Sequence, residues 1–155
     1  MNTERKTYQK LVNTAQAAAE KKTTTSYAEL LRIARSASEK AYAPYSDFQV
    51  GAALLAEDGR IFTGCNVEVC TFDGGICAER VAFVKAISEG VSKFKAVAVV
   101  CRRSNGSWPC GLCRQFMLEF GVDLDVAVEG PDGQVQTLKL GELMPHHFGP
   151  DALKK

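Results

Sequence analysis

Apolar residues first fall into a clear rhythm at Leu30, Ile33, Ala34, Ala37 and Ala41, the spacing of one helix face, which predicts a helix over 27–41. Ser26 precedes it as an N-cap with Glu29 three residues on, and Pro44 stops it. The pattern then changes to that of strands, over 48–57 and 60–63, joined by Asp58-Gly59, a strong tight-hairpin signal. A second helix begins at about Cys77, carries Val81, Val84 and Ile87 on one face and ends near Gly90. A buried strand over 95–101 follows, then a loop over 104–109. Pro109 suits the first position of a third helix, which runs through Phe116, Met117 and Phe120 to Gly121. Strands over 125–129 and 135–138 flank Pro131-Asp132-Gly133, and a short helix is expected near Leu143.

The order α-β-β-α-β-α-β-β-α predicts an α/β fold: a mixed five-stranded sheet with helices on both faces, a three-layer α/β/α sandwich. Residues 1–25 are polar and small and read as an N-terminal extension, partly disordered, although 11–19 is compatible with a helix. Residues 26–155 form one domain, long enough to bury a core without disulfides.

Composition narrows the function classes. A net charge of +1 gives no large field for polyanions, and the basic pairs Lys21-Lys22 and Arg102-Arg103 read as solvated surface, so no nucleic-acid partner is expected. No apolar run approaches the roughly 20 residues that span a bilayer, so no membrane partner is expected either. Six cysteines without an apolar secretory segment point to a reducing compartment, the cytoplasm, where clustered cysteines serve metals or catalysis.

Those cysteines carry the candidate chemistry. Cys110 and Cys113 stand three apart at a helix start, so both thiols can converge on one ion, and Cys77 occupies the same kind of place on the preceding helix. Helix N-termini stabilise thiolate. Three thiolates on Zn²⁺ leave a net charge of about −1 and an open fourth position, the mark of a catalytic rather than a structural site. Arg80, one turn after Cys77, is the candidate for offsetting that charge. Glu79, two residues from Cys77, faces another side of the helix, as a proton carrier beside the metal requires. The chemistry is then hydrolytic deamination, with Glu79 moving a proton from water to a ring nitrogen and on to the leaving amine. A Cys-x-x-Cys alone also fits half of a structural zinc site, a redox pair or two buried thiols. A redox pair would leave Cys77-Ala78-Glu79 idle, and a Cys₄ site would need a ligand from Cys65, Cys70 or Cys101, none of which forms a second Cys-x-x-Cys.

With these residues in place, the chain resembles the small homotetrameric cytidine deaminases over about 27–153. The matching segments, in family order, are Ala41-Tyr42-Ala43-Pro44-Tyr45-Ser46, Phe48-Gln49-Val50-Gly51-Ala52-Ala53-Leu54 and Gly64-Cys65-Asn66-Val67-Glu68. Cys77-Ala78-Glu79-Arg80, Pro109-Cys110-Gly111-Leu112-Cys113-Arg114-Gln115, Leu143-Met144-Pro145 and Phe148-Gly149-Pro150 complete the set. The resemblance implies Cys77, Cys110 and Cys113 as ligands of one zinc ion per chain, Glu79 as acid and base, and Arg80 against the thiolates. It implies Phe48 stacking on a pyrimidine, Asn66 and Glu68 on the ribose hydroxyls, Ala78 as a substrate contact, and Phe148 reaching a neighbouring subunit's site. His146 and His147 match nothing catalytic and read as surface.

The activity so implied is deamination of cytidine and deoxycytidine in pyrimidine salvage, by a homotetramer with shared active sites and a small nucleoside as its partner. One stretch departs from the pattern: where the family usually has Asn-Ala-Ser-Tyr, this chain has Val69-Cys70-Thr71-Phe72-Asp73-Gly74-Gly75-Ile76. Gly-Gly before the zinc cysteine resembles blasticidin S deaminase, so a modified cytosine nucleoside is the alternative substrate, although Glu68 favours the plain nucleoside. A polynucleotide-editing deaminase would want a basic groove with aromatic platforms, which the sequence lacks. A non-catalytic zinc module would make Glu79 dispensable.

Overall fold

The computed structural model describes residues 25–71 and 73–153. The expectations for residues 1–24, including the helix around 11–19, and for Phe72 lie outside the described residues. Three helices, α1 (Tyr27–Ser38), α2 (Ala78–Ser88) and α3 (Gly111–Leu118), surround five strands: β1 (Val50–Ala56), β2 (Ile61–Cys65), β3 (Phe94–Cys101), β4 (Asp125–Glu129) and β5 (Val135–Lys139). The sheet order is β2-β1-β3-β4-β5. Only β3 and β4 run parallel, and the other neighbours are antiparallel, so the sheet is mixed as predicted.

Alternation along the central strands builds two cores. Ala52, Leu54, Val97, Val99, Val126 and Val128 face α2 and α3, whereas Ala53, Leu55, Ala96, Ala98, Val100 and Ala127 face Leu30, Leu31 and Ala34 of α1. An aromatic cluster of Phe83, Phe94, Phe116 and Phe120 locks α2 to α3, with Phe83 and Phe94 meeting edge to face at 4.8 Å. Ser26 caps α1 by accepting from the Glu29 N–H at 3.2 Å. Gly59 turns the β1–β2 hairpin at φ +92°, a conformation open to glycine, as the Asp58-Gly59 signal requires.

Four expectations need correction. The first helix ends at Ser38, not Ala41. The second buries Ala78, Glu79, Ala82, Phe83 and Ala86, while Val84 and Ile87 are 41% and 38% exposed. The cause is proximity: a Cβ on Gly64 of β2 would lie 2.2 Å from the Ala78 oxygen and 2.6 Å from the Ala82 nitrogen, so only a face of small residues can approach the sheet. Pro109 is not the first residue of α3, because Cys110 is extended (φ −66°, ψ 164°) and serves as its N-cap. No α-helix forms near Leu143; turns join Leu143 and Met144 to Lys139, Leu140 and Gly141, and Pro145, which has no N–H, ends them. A 3₁₀ turn at Pro150–Leu153 follows instead.

Candidate metal centre

Two helix starts meet at one end of the sheet. Cys77 and Cys110 are the N-caps of α2 and α3, both in extended conformation and neither making a side-chain capping bond. Cys113 lies in the first turn of α3 and is fully buried, with Cys77 half-buried and Cys110 exposed. The three sulfurs lie within 4.8 Å of one another, and those of Cys77 and Cys110 are 3.9 Å apart. Tetrahedral zinc with Zn–S bonds of about 2.3 Å spaces its sulfurs by about 3.8 Å, so the donor set fits that ion with one position open.

The electrostatics agree with the geometry. A hydrogen bond from the Cys113 thiol, opposed by burial and reinforced by Arg80 and Cys110, lowers the Cys77 thiol to about 5. The same bond, with burial, raises Cys113 above the ordinary thiol range. Cys77 is therefore favoured as a thiolate at neutral pH, the form that binds a metal. Arg80 stands over it: its Nη2 donates to the Cys77 sulfur at 3.8 Å and to the Gly75 carbonyl at 3.5 Å. Its buried Nε has no partner among the described residues. Replacing Arg80 by alanine is expected to weaken zinc binding by about tenfold to a hundredfold, read by competition with a chromogenic chelator. Unchanged affinity and turnover would leave the thiolate charge balanced elsewhere.

Glu79 is 4% exposed. Burial, partly offset by a backbone hydrogen bond and aided by the charge of Cys77, pushes its carboxyl up to about 7. A carboxyl that both takes and gives a proton near neutrality is what a general acid–base needs.

The remaining expected residues lie on a frame that leads into the site. Val67 bridges Ile76, the residue before Cys77, through N–H···O bonds of 2.9 and 3.0 Å, so Asn66 and Glu68 flank the entrance to α2. The Asn66 amide accepts from the Val50 N–H and donates to the Phe48 carbonyl, each at 2.8 Å, bracing the backbone that carries Phe48, a ring 40% exposed. Glu68 accepts from the N–H groups of Tyr45 and Ser46 at 3.0 and 3.2 Å and from the Ser46 hydroxyl. Ala78 is buried between Cys77 and Glu79. Phe148 is 61% exposed, and its carbonyl accepts from Gln115 at 2.9 Å.

Sequence reasoning assigned no role to Ser46 or Gly64, although a glycine inside a strand pattern signals a close approach of backbone. A cavity of about 790 Å³ lies at the other end of the sheet, lined by residues such as Tyr27, Leu55, Phe94 and Lys139, and contains none of these groups.

A mixed sheet that presents three convergent thiols and a buried, nearly neutral carboxyl at paired helix starts defines a zinc-dependent deaminase. The sequence profile of the "Cytidine and deoxycytidylate deaminase zinc-binding region" matches residues 24–128. A cytidine deaminase of Sporosarcina psychrophila is 44% identical over 126 residues, 81% of this chain and 93% of that protein. The crystal structure of cytidine deaminase from Burkholderia pseudomallei superposes with a TM-score of 0.75 at 43% identity, covering 79% of this chain and 99% of that one. That from Mycobacterium tuberculosis gives 0.71 at 39% identity, over 79% and 97%. The chain belongs to the cytidine deaminase family.

Proposed function

We propose that the chain hydrolyses cytidine and deoxycytidine to uridine and deoxyuridine with release of ammonia. The observation that carries this reading is Glu79, a buried carboxyl with a proton affinity near neutrality, beside three thiols spaced for zinc. Cys77, Cys110 and Cys113 would hold one zinc ion per chain, which when bound supplies a water acidic enough to react near neutral pH. Glu79 takes the first proton released from that water and gives it to the ring nitrogen next to the amidine carbon, then carries the second, from the hydroxyl now on that carbon, to the amine as its C–N bond breaks. Arg80 draws charge from the Cys77 thiolate. The exposed Phe48 ring offers a face to the pyrimidine, held by the Asn66 brace.

Asn66 still has one N–H and one lone pair free of that brace to meet a sugar hydroxyl, and Glu68 stands beside it for a second. Ala78, between a zinc thiol and Glu79, contributes backbone to the substrate. The working unit is a homotetramer in which Phe148 closes a neighbour's site, and the setting is pyrimidine salvage in the cytoplasm. Among the described residues no helix is long and apolar enough to cross a membrane.

One purified sample assayed by absorbance with cytidine, deoxycytidine, cytosine and blasticidin S tests the reading. Cytidine is expected to exceed free cytosine in kcat/KM by about 10⁴-fold, because an absent sugar leaves polar groups unmatched. Equal rates would remove Asn66 and Glu68 from substrate recognition. Blasticidin S as the best substrate would shift the assignment to a modified nucleoside.

A further inference from the structure

Two residues that directly follow the last zinc thiol have no place in the chemistry above, yet both reach across to the C-terminal segment. Arg114 donates from Nε to the Pro109 carbonyl at 2.7 Å and from Nη1 to the Leu143 carbonyl at 2.9 Å, and its own N–H closes the turn on the Cys110 carbonyl at 2.9 Å. Gln115 donates from Nε2 to the Phe148 carbonyl at 2.9 Å. Leu143 and Met144 pack against the same core cluster that Cys77 and Trp108 join. The guanidinium thus ties together the peptide immediately before Cys110 and the start of the 143–148 segment, and the amide one residue later ties down its end.

We propose that Arg114 and Gln115 are positioning residues that couple occupancy of the metal site to the placement of the 143–149 segment and its Phe148. The physical argument is geometric. Zinc held by Cys110 and Cys113 fixes the first turn of α3, and with it the Pro109 carbonyl and the two side chains that grip the C-terminal segment. Both grips land on main-chain carbonyls, so they fix the path of that segment whatever side chains it carries. The guanidinium reaches the two carbonyls from two separate nitrogens, Nε and Nη1, whereas lysine at 114 brings all its donors on one nitrogen, so it is expected to keep one contact at the expense of the other. Linkage makes the coupling reciprocal: a segment held through Arg114 also tightens binding of the metal.

This inference rests on the assignment of Cys110 and Cys113 as ligands, and the test separates the two. Amide hydrogen exchange is measured across 143–149 on the full chain, zinc-loaded and stripped by chelator, together with zinc affinity by equilibrium competition with a chromogenic chelator. In the unsubstituted protein zinc is expected to slow exchange of these amides by about tenfold. Arg114→Ala should abolish most of that ratio and weaken zinc affinity about tenfold, with Arg114→Lys recovering less than half of the loss. Gln115→Glu, an exposed isosteric change that removes the donor to Phe148, should lose the zinc dependence at the 147–149 end alone, and it decides the matter if Arg114→Ala does not fold. Zinc dependence and zinc affinity equal to those of the unsubstituted protein in these variants would overturn the coupling while leaving the metal site intact. A protein that takes up no zinc would overturn both.

Discussion

Glu79→Gln is expected to retain about one zinc per chain while kcat falls by about a thousandfold or more, since the carboxyl is asked to move protons at two stages. The amide keeps the shape of the side chain and leaves the three thiols 77, 110 and 113 untouched, so metal analysis and turnover should separate cleanly. A variant that keeps most of its activity would take Glu79 out of the proton path. The same substitution has a second signature in the metal-free protein.

The folded carboxyl titrates at about 7 and the unfolded one near the ordinary 4.5. Rising pH therefore ionises the unfolded chain first, and folded stability is lost between those values. Above pH 7 the penalty is complete and of the order of about 3 kcal/mol, so metal-free Glu79→Gln should outlast metal-free wild type in thermal unfolding at pH 8. Near pH 4.5 the difference should vanish. A pH-independent difference would mean that the carboxyl does not titrate where burial places it.

Gly64→Ala is expected to damage fold and metal site together. The added methyl would meet main-chain atoms of α2 at 2.2 and 2.6 Å, which no rotamer change can relieve, so the helix must lift from β2. Overpacking of this kind costs about 1–3 kcal/mol, and here the nearer of the displaced atoms is the oxygen of Ala78, the residue between Cys77 and Glu79. Zinc content and turnover should therefore fall further than the denaturation midpoint alone implies. Gly111→Ala is the control, because nothing lies within 4 Å of its Cβ position and its φ is not positive. Its denaturation midpoint should be unchanged or slightly raised. A Gly64→Ala protein with normal zinc content and a normal midpoint would refute the close approach of α2.

The contrast between these positions shows why parts of the structure were readable and others were not. Local chemistry carried Ser26, Asp58-Gly59 and the Cys110–Cys113 pair, since a cap, a hairpin turn and a metal-ligand spacing each depend on residues a few positions apart, and Cys77, 33 residues before Cys110, joined them through its like place at a helix start. The buried face of α2 was not local. Its alanines are selected by a glycine in a different strand, and ranking positions by apolar bulk points instead to Val84 and Ile87, which face outward. Asn66 was singled out through the family resemblance, as a sugar contact, and was illegible as the brace of Phe48, because a backbone N–H sixteen residues away and a carbonyl eighteen away leave no mark on composition. The turn near Leu143 was misread as helix because periodicity near a proline counts apolar spacing and not the missing N–H of Pro145.

Cys77 and Cys110 sit where helices usually carry serine or aspartate, and neither satisfies an N–H of its own helix. The donors left over at both starts belong to the main chain, so whatever field the two helix ends lend to the thiolates cannot be deleted by changing a side chain. Arg80 is a share of the compensation that can be replaced. A scan of substitutions around the site would consequently register Arg80 and stay blind to the helix ends, whose field every variant inherits.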